Sequence, residues 1–312
     1  MSEAFNNLFV EKYRPKTLDE VVLAKEDRDF FESLRSKQEI PHLLFAGSAG
    51  IGKSATAKAI INDVLNGPDY LYINASDESG IDVVRSRVIS FAQTKSFDGR
   101  MKVILLEEIC GMSGSAQDAL RNVIEQYSSN NRFIMTCNYL YKITKPIQSR
   151  CSIVQLNPPI EGIVSRVKHI LQQENITIPA EEKPKLLEHI RKNFPDLRRI
   201  IGDIQKYSSV NNTLRIRSDI SSEFAQKVFK MLCNKQDLMA IRKEIIENEK
   251  EFSNDYHNLL KQLFELVFES DLPSEKKTDC MLVISKGMEL HNMVVDKEIN
   301  CFTALINVYR IV

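Results

Sequence analysis

Residues 1–158 alternate short hydrophobic runs with longer segments in which hydrophobic positions recur every three or four residues. Runs of about five residues rich in Val, Ile, Leu, Phe or Tyr are typical of buried strands. Such runs occupy residues 42–46, 70–74, 103–106, 133–137 and 152–156. Because helical patterns lie between them, we predict an α/β domain with a parallel sheet over residues 1–158.

Helical periodicity fills the intervals between these strands, at residues 53–65, 80–93 and 115–127. Asn66-Gly67-Pro68 follows the first interval and is a typical helix terminator. Ser115 opens the third interval and Asp118 stands three residues later, which is a variant of the capping box with Asp in place of Glu. We therefore expect these intervals to form the helices that connect the strands.

The pattern changes at Asn157-Pro158-Pro159, since no further strand pattern follows it. Hydrophobic positions spaced for one helix face recur to the end of the chain. The predicted helices span 160–173, 181–193, 196–207, 222–233, 237–248, 254–269, 274–291 and 296–309. We predict a small helical domain at 159–228 and a helical C-terminal domain at 229–312.

Composition excludes several classes of protein. The chain has 312 residues, of which 43% are hydrophobic and 27% charged, so it is not a disordered chain. No hydrophobic run approaches the roughly 20 residues of a membrane span, and the N-terminus lacks a secretory signal pattern. The six cysteines include no C-x-x-C pair, which favours reduced thiols in a cytosolic compartment. We predict no membrane association.

The overall charge is balanced, with 42 basic and 42 acidic residues. A chain of zero net charge does not coat nucleic acid by bulk electrostatics. Any contact with nucleic acid therefore requires a local basic patch, or several copies of the chain acting together.

The strongest chemical motif is Gly47-Ser48-Ala49-Gly50-Ile51-Gly52-Lys53-Ser54. It matches the phosphate-binding P-loop, with a predicted strand before it and a predicted helix after it. In such a loop backbone N–H groups surround the phosphates, the lysine reaches the β- and γ-phosphates, and the hydroxyl binds Mg²⁺. The residues predicted to contact ATP here are Gly47, Gly50, Ile51, Gly52, Lys53, Ser54 and Ala55.

Two carboxylates, Glu107 and Glu108, end the strand predicted at 103–106. A P-loop ATPase needs a carboxylate at such a strand end to hold the Mg²⁺ shell, and often a second to polarise the attacking water. We predict that Glu107 acts on the metal and that Glu108 acts on the water. The alternative is a pair of solvated acids.

Two further polar residues follow strand patterns. Asn138 closes the strand at 133–137, where it could orient the water or the γ-phosphate, although Asn is also common as a plain turn residue. Arg150 precedes the last strand, where it could complete the site of a neighbouring subunit as an arginine finger. A surface arginine is the alternative for Arg150.

The order of these motifs resembles the sliding-clamp-loader ATPases, the replication factor C small subunits of the AAA+ class. The resemblance also includes Glu11-Lys12-Tyr13-Arg14-Pro15, residues 17–22, Asn74-Ala75-Ser76-Asp77-Glu78 and Ser149-Arg150-Cys151. The segments at 96–104 and 193–198 resemble more closely the ATPase subunit of T-even-type bacteriophage clamp loaders, which is their large subunit. The motifs span residues 9–207, and the C-terminal third agrees only in length and helical character.

The resemblance implies a role for each matching position. Lys53, Glu107, Glu108, Asn138 and Arg150 would carry catalysis, with Asn138 as first sensor and Arg150 as a finger on ATP held by the next subunit. Arg198 would be the second sensor, reaching the nucleotide from the lid. Adenine and ribose would be enclosed by Val10, Glu11, Lys12, Tyr13 and Val22.

Three further features follow from the same resemblance. Arg85 and Arg87 open a helix that is similar to the one tracking primer–template phosphates, the alternative being a solvated helix face. Gln117 and Arg121 match a polar network after the acidic pair. The motif Glu107-Glu108-Ile109-Cys110 departs from the usual Asp-Glu-Ala-Asp, and Glu107 is one methylene longer than Asp, which changes the geometry available to Mg²⁺.

We therefore predict an ATP- and Mg²⁺-dependent subunit of a clamp loader. Its partners would be a sliding clamp, primer–template DNA and the other subunits of a pentameric ring, several of them copies of this chain and one distinct. The C-terminal helices would form the collar of that ring, in the cytoplasm of an infected bacterial host. The rival hypotheses are an AAA+ motor of the helicase-loader or Holliday-junction type, and a scaffold that binds ATP without hydrolysing it.

Overall fold

The computed structural model describes residues 8–67, 69–96, 99–208, 212–216 and 220–312. Pro68 of the predicted helix terminator and Phe97 and Asp98 of the phage-like segment lie outside the described residues. Two compact units make up the chain, residues 1–216 and residues 217–312.

The first unit is built on a sheet of five strands in the order β2-β3-β4-β1-β5. All pairs of neighbouring strands are parallel, as predicted. The strands are β1 Leu43–Ala46, β2 Tyr70–Asn74, β3 Lys102–Glu107, β4 Asn131–Cys137 and β5 Ser152–Gln155. Because the strands run in one direction, their carboxyl ends meet at one edge of the sheet and their amino ends at the other.

Helices connect the strands and continue after the sheet. They are α1 Phe9–Lys12, α2 Lys25–Lys37, α3 Lys53–Ala59, α4 Ile81–Val83, α5 Ile89–Gln93, α6 Gly114–Gln126, α7 Lys145–Gln148, α8 Ile160–Gln173, α9 Glu182–Asn193 and α10 Leu197–Ser208. π-helical segments, Ile60–Val64 and Val84–Val88, continue α3 and join α4 to α5.

Two local predictions were incomplete or wrong. Helix α2 was not predicted, because its sequence is largely charged and only Phe31 and Leu34 are buried. The capping role of Ser115 is wrong, since Ser113 caps α6 by accepting a hydrogen bond from Ala116 N at 3.2 Å. Ser113, two residues before Ser115, therefore provides the hydrogen-bond acceptor for a free backbone N–H at the N-terminus of α6.

Both faces of the sheet are covered, which explains the uninterrupted hydrophobic runs of its strands. Along β1, Leu43 and Phe45 belong to one buried cluster, and Leu44 and Ala46 belong to another. This alternation is the two-residue period of a strand with a core on either side. The sheet is therefore a rigid support for the loops at its two edges.

A smaller helical core follows the sheet within the same unit. It is formed by α8, α9 and α10, and its buried side chains are Ile163, Val167, Leu171, Leu186, Ile190, Ile200, Ile204, Leu214 and Ile216. Asp196 directly precedes α10 and caps its N-terminus, since Asp196 Oδ1 accepts a hydrogen bond from Arg199 N at 3.0 Å. This arrangement fixes the start of α10, where the predicted second sensor stands.

The second unit is helical. Its helices are α11 Ile220–Cys233, α12 Leu238–Glu247, α13 Tyr256–Glu269, α14 Ser274–Leu290 and α15 Lys297–Ile311. The predicted boundary at 228/229 lies inside α11, whose Phe224 and Leu232 pack in one core, and the division into three domains stays a prediction. No helix in the described ranges has the length and hydrophobicity needed to cross a bilayer.

Candidate functional site

A cavity at the carboxyl edge of the sheet collects side chains from three parts of the first unit. These parts are the N-terminal segment, the loop between β1 and α3 with the neighbouring strand ends, and the helical core after the sheet. The lining residues are Val10, Glu11, Tyr13, Arg14, Pro15, Glu20, Val21, Val22, Ala49, Gly50, Ile51, Gly52, Lys53, Ser54, Ala55, Glu108, Thr136, Asn138, Arg166, Leu197, Arg198 and Ile201. Most of the residues predicted to bind nucleotide are among them.

The loop between β1 and α3 has glycine where its backbone adopts positive φ angles. Gly50 and Gly52 have φ angles of 76° and 98°, which side chains rarely adopt. A Cβ on Gly50 would also lie 1.8 Å from Asp196 Oδ1, the cap of α10. Arg198 N donates to Gly50 O at 3.3 Å in the same place. The start of α10 therefore packs directly on the loop.

Lys53 is almost completely buried, with 8% of its surface exposed. Its Nζ donates to Gly47 O at 2.9 Å and to Ser48 O at 2.7 Å. Burial lowers the pKa of this lysine below its ordinary value. Neutral carbonyls are weak partners for a buried cation, so an anion that enters the loop is a better partner for Nζ than the carbonyls that hold it now.

Glu108 lines the cavity in an unusual backbone conformation. Its φ of 57° and ψ of 40° are left-handed, and its N–H donates to Thr136 Oγ1 at 3.0 Å. A non-glycine residue in this region costs on the order of 1–3 kcal/mol. The left-handed turn after β3 places Glu108 at the wall of the cavity. The strained residue is therefore the one predicted to polarise water.

Glu107 ends β3 beside the cavity and is not one of its lining residues. Its Oε2 accepts from Tyr72 OH at 3.3 Å, and Lys58 Nζ lies 3.9 Å from Oε1. Oε1 is buried and has no hydrogen-bond partner. A buried acceptor of this kind calls for a cation or an ordered water.

The donor set at this edge fits Mg²⁺ held mainly by phosphate and water. In the described part of the chain no group of three His, Cys, Asp or Glu side chains could hold a metal by itself. Mg²⁺ usually keeps several waters and takes one or two protein ligands together with substrate phosphates. The Ser54 hydroxyl and Glu107 Oε1, which accepts no hydrogen bond, are suitable for that role.

The N-terminal segment is tied to the helical core that follows the sheet. Tyr13 OH and Lys12 Nζ both donate to Glu174 Oε1, at 2.5 and 2.6 Å, and Arg166 Nη2 donates to Tyr13 O at 2.8 Å. Burial, with the bond to Glu174, raises the pKa of Tyr13 to about 12. Lys12 points to Glu174 and does not line the cavity, whereas Val10, Glu11 and Tyr13 do.

Several lining residues were not predicted, Thr136 and Arg166 among them. Arg166 lies on α8, whose buried positions recur every three or four residues as in any amphipathic helix, so the pattern does not single out this arginine. Thr136 lies near the end of β4, two residues before the predicted Asn138. The signal for Thr136 was its place at the end of a strand next to β3, since neighbouring strand ends share one edge.

Arg150 lies at the opposite edge of the sheet. It precedes β5, whose first residue donates from Ser152 N to His42 O at 2.8 Å, at the amino end of β1. Arg150 Nη2 lies 3.1 Å from Glu125 Oε1, and Nη1 donates to Pro146 O at 2.8 Å. The surrounding groove is lined by Leu34, Lys37, Glu39, Ile40, Pro41, His42, Ser128, Arg132, Ser149, Arg150, Cys151 and Ser152.

The remaining predicted residues also lie outside the cavity. Arg85 and Arg87 are exposed on the π-helical segment, and Arg87 forms an ion pair with Glu78. Gln117 is buried and binds backbone atoms of the loop after β4. Arg121 donates to Asn122 Oδ1 at 2.9 Å. Gly47 does not line the cavity, and its carbonyl oxygen accepts a hydrogen bond from Lys53 Nζ.

Two family models match consecutive parts of the chain. Residues 43–159 match the ATPase family associated with various cellular activities (AAA). Residues 160–214 match a model described as the sliding-clamp-loader large subunit, AAA+ ATPase lid domain. The second match covers the helical core that closes the cavity.

Among curated proteins, the chain is similar to replication factor C small subunits. It is 35% identical to that of Methanococcus maripaludis (strain C7) over 290 residues, which are 89% of this chain and 90% of the relative. It is 43% identical to that of Saccharolobus solfataricus over 209 residues, 65% of this chain and 62% of the relative. The motifs at 9–207 therefore belong to a similarity that extends over most of the chain.

Solved structures of Thermotoga maritima RuvB, a Holliday junction branch migration motor, have a similar fold. One of them superposes with a TM-score of 0.54 and 17% sequence identity, over 75% of this chain and 85% of that one. Another superposes with a TM-score of 0.54 and 16% identity. At this level of identity the likeness concerns the fold alone.

Proposed function

We propose a mechanism for this chain on the premise that it belongs to the replication factor C small-subunit family of clamp-loader AAA+ ATPases. It is an ATP-hydrolysing subunit of a sliding-clamp loader and acts in DNA replication. The observation that carries the proposed mechanism is the meeting of Lys53, Glu108, Asn138 and Arg198 at one cavity.

In our proposal ATP occupies this cavity with its base toward the N-terminal segment. Val10, Tyr13 and Val22 provide the apolar and aromatic wall for adenine and ribose. The triphosphate follows the loop to the start of α3, where backbone N–H groups face it. Lys53 Nζ leaves the carbonyls of Gly47 and Ser48 and binds the β- and γ-phosphates.

Hydrolysis needs a water opposite the γ-phosphate. Glu108 polarises that water, since its carboxylate enters the cavity from a turn that Thr136 holds. Asn138 and Arg198 orient the γ-phosphate from the strand end and from α10. Ser54 and Glu107 would hold the ligand shell of Mg²⁺, which would supply positive charge to the phosphate oxygens.

Arg150 acts on ATP held by the next subunit. The sheet separates Arg150 from its own loop, because the four residues of β1 alone span roughly 13 Å. An arginine at the amino edge can reach a nucleotide only if a second chain presents its carboxyl edge. We therefore propose a ring in which copies of this chain and a distinct subunit form a pentamer.

The partners of the ring follow from the same proposal. They are a sliding clamp and primer–template DNA, with exposed Arg85 and Arg87 at the DNA phosphates. The C-terminal helical unit serves as the collar that holds the subunits together. The resemblance of residues 96–104 and 193–198 to phage loader subunits leads us to place the complex in the cytoplasm of an infected bacterial cell.

Steady-state ATP hydrolysis of the assembled complex tests this proposal. The chain is mixed with candidate partner subunits and assayed with and without clamp and primed DNA. We expect turnover to rise when both are present, and Lys53→Ala to abolish ATP-dependent clamp binding. ATP binding without stimulated turnover would identify a scaffold. Turnover that rises with DNA but does not change when the clamp is added would identify a motor.

A further inference from the structure

A pair of tyrosines projects from the loop that follows β4. Tyr139 is 51% exposed and Tyr141 is 79% exposed. Their ring centroids lie 5.7 Å apart at an angle of 49°, and Lys142 Nζ lies 5.1 Å from the centroid of the Tyr139 ring. Neither ring lines the nucleotide cavity. We call this surface, made of Tyr139, Tyr141, Lys142 and Lys145, the tyrosine platform.

Two glutamine side chains hold the platform rigidly. Gln148 Nε2 donates to Leu140 O at 3.0 Å and to Ile143 O at 2.7 Å. Gln117, which is 3% exposed, donates to Lys142 O at 3.1 Å and accepts from Thr144 N at 2.9 Å. The rings are therefore presented on a preorganised backbone, so binding a ligand costs little conformational entropy.

The platform stands in a part of the chain without acidic residues. From Tyr127 to Ile160 the sequence has no Asp and no Glu. Lys142 and Lys145 are both exposed, and Lys142 lies beside the Tyr139 ring. The segment next to the platform, at residues 112–115, is uncharged as well. Exposed aromatic faces flanked by cations suit a ligand that has flat rings and negative charge.

We infer that the tyrosine platform binds unpaired bases of single-stranded nucleic acid, with Lys142 and Lys145 near the phosphates. Unpaired bases expose the faces that a tyrosine ring stacks on, whereas a duplex hides them. The platform begins one residue after Asn138, which lines the nucleotide cavity. The bound strand and the bound nucleotide thus contact consecutive residues of one loop.

The absence of tryptophan from the chain makes a direct test possible. Tyr141→Trp gives the full chain its one tryptophan, which is excited at a wavelength where tyrosine does not absorb, and a thymidine oligonucleotide is titrated against it. We expect saturable quenching by the single strand and much weaker quenching by a blunt duplex of equal phosphate number. The matched control is Tyr70→Trp, at a tyrosine that is 45% exposed on β2, and we expect no quenching there.

Affinity for a labelled single strand gives a second measurement that needs no new fluorophore in the protein. Stacking on an aromatic side chain contributes a factor of about 5–150 in affinity per base. Tyr141→Ala should weaken binding within that range, and Tyr141→Phe should keep it. Lys142→Ala should flatten the log–log salt dependence by about 0.7, the value for one phosphate of a single strand.

Two results would overturn the inference. One is an unchanged affinity of Tyr141→Ala for the single strand. The other is a Tyr141→Trp emission that ignores single strands and responds to the sliding clamp alone, which would make the platform a surface for protein docking.

Discussion

The two edges of the one sheet differ in what they hold. The carboxyl edge carries a closed set of groups around a cavity, with Lys53 buried in the loop and Glu108, Asn138 and Arg198 at the rim. The amino edge carries an open groove in which Arg150 stands beside an exposed glutamate. In our proposal the first edge binds the nucleotide of its own chain, while the arginine of the second edge acts on the nucleotide of a neighbouring chain.

The two cations are also held with different strength. Lys53 is enclosed by the loop that it serves, and the sheet beneath it cannot move without breaking the core. Arg150 is 29% exposed and its partner Glu125 is 63% exposed. Such an ion pair contributes about 0–1 kcal/mol. Arg150 can therefore exchange Glu125 for a phosphate at little cost, which suits the role in an assembled ring that we propose for it.

The largest expected effect concerns the amino edge. Arg150→Ala should leave nucleotide binding by the isolated chain unchanged and lower hydrolysis by the assembled ring about 10³–10⁵-fold, since the charge on the transferred phosphoryl group loses its partner. Nucleotide affinity is measured on the chain alone and turnover on the ring. A mutant ring with wild-type turnover in the presence of DNA would show that Arg150 does not act on the nucleotide of the next subunit.

Mixed rings sharpen this experiment. Lys53→Ala removes the binding edge of a subunit and leaves its Arg150, whereas Arg150→Ala does the reverse. Mixed rings should hydrolyse ATP faster than rings of either variant alone, because some interfaces combine the two intact edges. An arginine that acted within its own chain would give no recovery. Glu125→Gln is the matched control, and we expect it to change turnover only a few-fold.

The next effect separates the two acids at the end of β3. Glu108→Gln should lower turnover about 10²–10⁴-fold with little loss of ATP affinity, because it removes the group that polarises water. Glu107→Gln should be damaging because it loses the charge proposed to act on the Mg²⁺ shell. Glu107→Asp should be tolerated, since Asp keeps that charge and is the usual residue of the motif. Normal hydrolysis by Glu108→Gln with loss in Glu107→Gln would reverse the two roles.

The smallest effect is one of stability at the amino edge. Burial, with the nearby charge of Arg132, lowers the pKa of His42 to about 4, and His42 Nδ1 accepts from Phe133 N at 3.1 Å. The unfolded chain protonates this histidine near pH 6.5. Between these values the unfolded state binds more protons, so the free energy of unfolding falls as pH falls from about 6.5 to 4.

This loss should be on the order of 1–2 kcal/mol, less than the full shift gives because the ring is partly solvated. Denaturant unfolding at several pH values measures it. His42→Asn retains an acceptor for Phe133 N and removes the titration, so the variant should lose less stability in acid than the wild type. An identical pH profile would show that His42 does not titrate in this way.

The sequence determined what depends on neighbouring residues. The five strands were predicted because each is a hydrophobic run with helical patterns around it, and the P-loop because Gly50, Gly52 and Lys53 are needed at fixed spacing. The direction of every strand follows from the alternation of strands and helices. The order of motifs along the chain also showed the family, which the similarity over 89% of the chain confirms.

The tertiary structure decided what depends on residues distant in sequence. Lys12 is turned to Glu174, 162 residues away, and Arg166 holds the backbone of Tyr13, 153 residues away. Arg150 meets Glu125 at the edge of the sheet opposite Lys53, because α6, which carries Glu125, packs against α7 just before Arg150. Pattern and spacing specify which side chains face a core, but the partner of a polar side chain is set by how the elements pack.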